Sequence, residues 1–379
     1  MDRSIVFVLS WGLSGVSGVV SWVETLREEL RARGVRVGIL LGRPSPDSSE
    51  WGDVDAIFHT PEDLERILPD YSPGVVVVMN KQRHLPFGSL TEQLNRDGRR
   101  LHLVSVLHSD TFDEYYRHVE AFQPFTHHFI SVSPTVHRNT RNELARLGSD
   151  HRDHCSLLPY GVRLPEARPR RYQAAPIRLA YAGRMVQHQK RIFDFVPLVE
   201  RLVARGVDFE LSLAGHGAHE AELRERISRL GQGAGRVRFL GRIPHRKMLE
   251  GWHEFDAFVN LSSFEGTSVA MLEAMAAGCV PVVTAASSGV CETLDYGRNG
   301  LFAPVGDMDG MAAHIASLQA SPNRLAALGR AARATVERSY TLSDHGERFL
   351  EIVNRVASSS PVRGERPRPS VEAGVALGA

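Results

Sequence analysis

Two glutamates with seven residues between them, Glu265 and Glu273, stand in the stretch FEGTSVAMLEAMAAGCVPVV. The apolar run that ends near Leu261 reads as a strand, so Glu265 falls in the loop after it and Glu273 in a helix predicted to begin near Thr267. The first-turn amides of such a helix lack intrahelical partners and suit a phosphate. Gly266, Thr267, Ser268 and Val269 would present them. A carboxylate at Glu273 can accept both hydroxyls of a ribose diol. Glu265, nearer the strand end, can touch a sugar or a developing cation. Two glutamates alone read equally as a surface residue followed by an ordinary helical one.

A departing anion needs fixed cations, and lysine is nearly absent here. Of 45 basic residues only Lys81, Lys190 and Lys247 are lysines. Lys190 lies within one short loop of Arg184, which follows the apolar run Ile177 to Ala182 in Tyr181-Ala182-Gly183-Arg184. Any single arginine in so arginine-rich a chain is by default a solvated residue. His108 follows the run His102 to Leu107, and a neutral imidazole at a strand end can hydrogen-bond a sugar hydroxyl or orient an acceptor. The chain has 17 histidines, so the ordinary reading of any one is a polar loop residue. His151, His154 and Cys155 carry ligand-type atoms without a fourth ligand at zinc-like spacing. Asp53-x-Asp55 and Asp307-x-Asp309 look like metal-binding pairs, but Asp307 precedes a helical stretch, Met311 to Leu318, where an N-cap is simpler. No metal site is expected.

The elements that must hold these residues alternate in type. Short β-branched runs are followed by amphipathic stretches, the pattern of parallel strands joined by crossover helices. The first series has strands near Ile5 to Leu9, Val35 to Leu41, Ala56 to His59, Val75 to Met79, His102 to Leu107 and His128 to Val132. A helix from about Val19 to Arg33 carries Trp22, Val23, Leu26 and Leu30 on one face, and Gly34 ends it. The second series has strands near Ile177 to Ala182, Phe209 to Ala214, Val237 to Leu240, Ala257 to Leu261 and Val280 to Thr284. Between them the proline-rich RLPEARPRRYQAAP reads as a linker. These patterns give an α/β protein of two Rossmann-like, doubly wound parallel-sheet domains facing a central cleft. The domains are expected at 1–165 and 177–340, with a linker at 166–176. A helix at 341–357 is expected to pack back toward the first domain, and a disordered tail to follow at 358–379. Ligands of such sheets bind beyond the carboxyl ends of the strands, so the chemistry belongs between the halves.

In order along the chain, these features resemble the family 4 retaining glycosyltransferases with the GT-B fold. The Glu265-x7-Glu273 pair resembles their signature. Gly183 and Arg184 with Lys190 resemble the Gly-Arg and Lys that bind the donor diphosphate. Leu213-Ala214-Gly215-His216-Gly217 resembles their glycine loop, Val237-Arg238-Phe239-Leu240-Gly241 the strand and turn beside the base, and Asn299-Gly300 the end of the domain. Gly12-Leu13-Ser14-Gly15-Val16-Ser17-Gly18 resembles the glycine-rich segment near donor phosphate and acceptor, with Gly15 and Gly18 as contacts; a tight strand-to-helix turn explains it equally. His108 matches the family histidine near the donor sugar. The resemblance implies catalytic roles for His108, Arg184, Lys190 and Glu265, with Gly15, Gly18, Gly183, Gly215, Gly217, Gly266, Thr267, Ser268, Val269 and Glu273 on the donor. It implies a metal-independent, retaining, hexosyltransferase-type enzyme needing no cofactor, with a UDP- or GDP-type nucleotide sugar as donor. Same-face attack assisted by the departing phosphate is favoured over Glu265 as nucleophile.

Composition narrows the partners. The formal net charge of +1 supplies no basic field for nucleic acid. Three cysteines are too few for a disulfide framework and fit a cytoplasmic protein. The longest apolar run, Val75 to Met79, is far short of the ~20 residues of a membrane span. Asp2 cancels Arg3 at the N-terminus, which reads as a first strand, not a signal peptide. The first helix balances Glu24, Glu28 and Glu29 against Arg27, Arg31 and Arg33, so peripheral membrane association is not favoured, and a soluble natural product or small precursor is the expected acceptor. The alternatives are an epimerase or phosphorylase of the same fold and a non-catalytic nucleotide-sugar-binding relative.

Overall fold

Runs rich in Val, Ile, Leu and Phe make the central strands, because a parallel sheet covered on both faces leaves little place for polar side chains. The computed structural model describes residues 4–9, 18–42, 54–79, 87–111, 115–149, 154–166, 172, 175–286 and 289–359. In the first half β1 (Ser4–Leu9), β2 (Arg36–Gly42), β3 (Ala56–Phe58), β4 (Gly74–Met79), β5 (Leu101–Leu107), β6 (His128–Ser131) and β7 (Cys155–Leu157) form one sheet in the order β3-β2-β1-β4-β5-β6-β7. All of its pairs are parallel. Alternation along β1 sends Ile5, Phe7 and Leu9 to one core cluster with Trp22 and Phe349, and Val6 and Val8 to another with Leu64, Phe87 and Leu90. Both faces are thus closed.

The second half repeats the plan. Strands β8 (Ile177–Ala182), β9 (Phe209–Ala214), β10 (Val237–Gly241), β11 (Ala257–Asn260), β12 (Val280–Thr284) and β13 (Leu301–Ala303) run parallel in the order β10-β9-β8-β11-β12-β13. Strand order therefore reverses beside β1 and β4 in one sheet and beside β8 and β11 in the other, the switch points where open sheets bind ligands. One apolar cluster runs from Trp22 in the first half to Val269, Met271 and Met275 in the second.

The three-residue strands β7 and β13 are not foreseen by the sequence pattern. Neither Cys155-Ser156-Leu157 nor Leu301-Phe302-Ala303 holds a β-branched residue to mark it, whereas the equally short β3 has Ile57; both unforeseen strands lie at sheet edges. The helix expected near Thr267 runs Val269–Ala276, with Ser268 as its cap. The helix Leu342–Ser358 crosses back onto the first half, where Phe349 stacks on Phe7 at 5.8 Å between ring centroids. The segment 12–17 with Gly15, most of the tail from 360 onward, and His151, Asp53 and Lys81 lie outside the described residues. Among the described residues no helix is long and apolar enough to cross a membrane.

Candidate functional site

The carboxyl ends of β8 and β11 deliver the principal side chains. Past β8 the chain turns through Gly183 and Arg184 into the short helix Gln187–Lys190; past β11 it runs through Ser262 and Glu265 to the helix Val269–Ala276. Gln189 ties the two loops together. Its side-chain carbonyl accepts from Arg184 Nη2 at 2.5 Å, its amide donates to the Phe264 carbonyl at 3.3 Å, and its backbone carbonyl accepts from Ser263 N at 2.9 Å. Lys190 Nζ donates to Glu265 Oε1. Arg184, Lys190 and Glu265 are thereby gathered within one hydrogen-bonded unit.

Glu265 is buried and accepts from Ser262 Oγ at 2.7 Å and Asn260 Nδ2 at 3.2 Å as well as from Lys190. Burial pushes its carboxyl up, but the Lys190 charge and the three hydrogen bonds outweigh it and hold the group below the ordinary carboxylate value. The group is an ionised carboxylate at neutral pH. Asn260 and Ser262 gave no motif signal in the sequence, being an ordinary strand end and loop serine; Gln189 likewise stood unmarked beside Lys190.

The glycines have a steric basis. Gly215 has φ +136°, and a Cβ there would lie 1.9 Å from the Gly183 carbonyl oxygen; one on Gly217 would lie 2.5 Å from that of Met185. These close approaches lace the two loops, with Gly183 N donating to Ala214 O and Met185 N to His216 O. The glycine loop therefore fixes the backbone that carries Arg184.

The first half meets this unit directly. A Cβ on Gly266 would lie 1.9 Å from the His108 carbonyl oxygen. Thr267 Oγ1 donates to Val132 O at 2.9 Å, Ser268 Oγ caps the Met271 amide at 3.3 Å, and Gly18 opens its helix against Val269. His108 itself turns into the first half. Its Nδ1 pairs with the Tyr160 hydroxyl, its Nε2 lies 2.8 Å from Met79 Sδ, and Trp22 packs edge-on at 5.4 Å. Burial pulls the imidazole down to about 3, so it is neutral. Burial, with lesser contributions from Tyr115 and the Glu265 charge, raises the Tyr160 phenol well above its usual value.

Glu273 is differently engaged. Its Oε1 accepts from His245 Nε2 at 2.6 Å, and burial lowers that imidazole less than the Glu273 bond and charge and the Glu24 charge raise it. The void beside Glu273, lined also by Ser21, Thr25 and Val269, is only about 10 Å³. That is room for one water, not a ribose. A cavity of about 420 Å³ lies elsewhere, against β2 with Arg31, Arg36 and Tyr71, away from these side chains.

The metal decoys have structural duties. Asp307 caps Gly310 N at 2.9 Å, Asp309 pairs with Arg201 at 3.0 Å, and Cys155 Sγ lies 3.3 Å from His137 Nδ1. Among the described residues no three His, Cys, Asp or Glu side chains converge.

Comparison with known proteins matches this half most strongly. Residues 176–321 fit the family model described as glycosyl transferases group 1. Glycogen synthase of Mycobacterium tuberculosis is 31% identical over 206 residues, 53% of this chain and 47% of that one. A GDP-mannose-dependent monoacylated alpha-(1-6)-phosphatidylinositol monomannoside mannosyltransferase of Corynebacterium glutamicum is 30% identical over 167 residues, 42% of each chain. The chain spans about half the length of the curated relatives it matches. The pneumococcal O-GlcNAc transferase GtfA, solved with UDP and GlcNAc, superposes with a TM-score of 0.77 at 11% identity, over 95% of this chain and 100% of that one. The fold is that of the GT-B glycosyltransferase structures, and residues 176–321 match the group 1 glycosyltransferase model.

Proposed function

We propose that the chain is a retaining glycosyltransferase that moves a hexosyl group from a nucleoside-diphosphate sugar to a hydroxyl of a soluble acceptor. One observation carries the reading: Arg184, Lys190 and Glu265 are bound into a single unit at the β8/β11 switch point, beside the N-terminal turn of the helix Val269–Ala276. Loss of a nucleoside diphosphate leaves charge on phosphate oxygens, and preorganised Arg, Lys and amide donors stabilise it as it develops. No metal is needed for that role. In the step itself the bond from the anomeric carbon to the phosphate oxygen breaks and the bond to the acceptor oxygen forms on the same face. The acceptor proton passes to the departing phosphate, and Glu265 orients the donor.

The ion pair and the small void at Glu273 define what binding must do. A diphosphate takes over part of the Lys190 hydrogen-bonding capacity from Glu265, and a ribose reaches Glu273 once the helices Gly18–Ala32 and Val269–Ala276 separate. The names of the relatives support a nucleotide-sugar donor of UDP or GDP type. The balanced charge of the first helix supports a small, soluble acceptor, and the three cysteines support a cytoplasmic setting.

The test is a thermal-shift screen with UDP, GDP, ADP and TDP, with and without magnesium, on the wild type and Arg184→Ala. A ligand at ~100 times its dissociation constant stabilises by about 2.7 kcal/mol. A selective, metal-independent shift lost in the variant is expected, as is a loss of about 100- to 1000-fold in kcat for Arg184→Ala. The anomeric configuration of the product, read by NMR, decides retention; an inverted product or full turnover in the variant sinks the reading.

A further inference from the structure

The chain crosses between the halves twice, side by side. Val162 N donates to Tyr340 O and Leu342 N to Val162 O, both at 2.9 Å, so the outgoing segment 159–162 is bonded at Val162 to the returning segment 340–342. The helix that follows seals the joint. His345 Nδ1 bonds the Pro159 carbonyl at 2.8 Å, and its Nε2 accepts from Trp22 Nε1 at 2.8 Å. A Cβ on Gly161 would lie 2.4 Å from His345 Cβ. Tyr160, between Pro159 and Gly161, is therefore clamped, and its ring lies nearly parallel to His108 at 12° and 5.8 Å.

The two partners of the His108 ring select its tautomer. A phenol donates to an imidazole nitrogen more strongly than it accepts from an N–H, so the nitrogen facing Tyr160 is the bare one and Nε2 carries the hydrogen; the Met79 sulfur, with no proton and only a weak acceptor, agrees but is the lesser partner. Nδ1 is then the acceptor, and the Tyr160 phenol, which keeps its proton, donates to it. The Nε2–H bond to a thioether is weak and readily exchanged for one to a hydroxyl oxygen. We propose that Tyr160 is a positioning residue that fixes His108 as the Nε2–H tautomer, so that the imidazole presents a hydrogen-bond donor to a hydroxyl of the transferred sugar. The sugar contact rests on the function proposed above; the tautomer does not.

Long-range proton–nitrogen NMR of the full chain labelled at histidine, with His108 assigned through His108→Gln, reads the tautomer directly. The wild type should show a single Nε2–H form. Tyr160→Phe keeps the ring and loses the hydroxyl, and should give a tautomer mixture with kcat reduced about tenfold and KM little changed, the effect of one hydrogen bond made in the transition state. Met79→Leu, which removes the sulfur, should leave the tautomer as it is. An Nδ1–H form in the wild type, or an unchanged tautomer in Tyr160→Phe, overturns the assignment. A wild type that transfers no sugar overturns the function, and the tautomer comparison then decides the role of Tyr160 alone.

Discussion

The pairing of Lys190 with Glu265 sets up a double-mutant cycle. The two side chains are 15% and 8% exposed, so each neutralises a largely desolvated partner. Removing one member of a buried pair costs about 3–5 kcal/mol. After Lys190→Met, Glu265 still holds Ser262 and Asn260, each a bond to a charged group, which places the expected loss near the lower bound, about 3 kcal/mol. For a half of this size that is a fall in Tm of about 6–12 °C. After Glu265→Gln the Lys190 ammonium retains some contact with water, so a smaller loss of about 1–2 kcal/mol is expected. The double variant restores neutrality, and its loss should be smaller than the sum of the single losses by about 2 kcal/mol. Urea unfolding of the four proteins measures this. Acid adds a second reading of the same pair. The Glu265 carboxyl lies below its ordinary 4.5, so its stabilisation is present above that pH and disappears as pH falls through the folded value. Without Lys190 the opposing burial raises the carboxyl, so in Lys190→Met the Glu265 acid limb should vanish and the deficit against the wild type should narrow as pH falls. Additive single losses with coincident acid limbs would refute the claim that Lys190 is what keeps Glu265 ionised.

Three buried histidines should make the fold acid-labile well before any carboxylate titrates. Burial pulls His108 down to about 3 and His128 and His345 to about 4, so each must be charged on unfolding below its ordinary 6.5; stability then falls by about 1.4 kcal/mol per pH unit for each, about 4 per unit for the three, or about 2 between roughly pH 5.5 and 5. Urea midpoints that stay level from pH 7 to 5 would contradict this. Gly215→Ala should cost more than about 4 kcal/mol, because overlap with the Gly183 carbonyl adds to backbone strain. Gly206→Ala, at φ +66° with nothing within 4 Å of the added Cβ, should cost only the strain of about 1–2 kcal/mol, and equal losses in the two variants would remove the lacing role of the glycine loop.

How far the sequence reaches depends on whether a feature is written in one segment or several. The strands β1, β4 and β12 are legible because burial on both faces demands largely apolar runs, and Gly34 is legible as a helix stop because it takes φ +78°. The loop order that brings Arg184 and Lys190 near Glu265 follows from the parallel topology, since β8 and β11 are neighbours and both end on the same edge. What surrounds His108 is written nowhere locally: Met79, Tyr160 and Trp22 come from three distant stretches. The same holds for Glu273, whose His245 partner lies 28 positions upstream on another helix. Glycines mislead in a specific way. Gly215 and Gly217 suggest contact with a ligand, yet their lack of a side chain is already required by the carbonyls of Gly183 and Met185. A glycine between strand and helix therefore attests first to close backbone approach. That approach holds the Arg184 backbone in place.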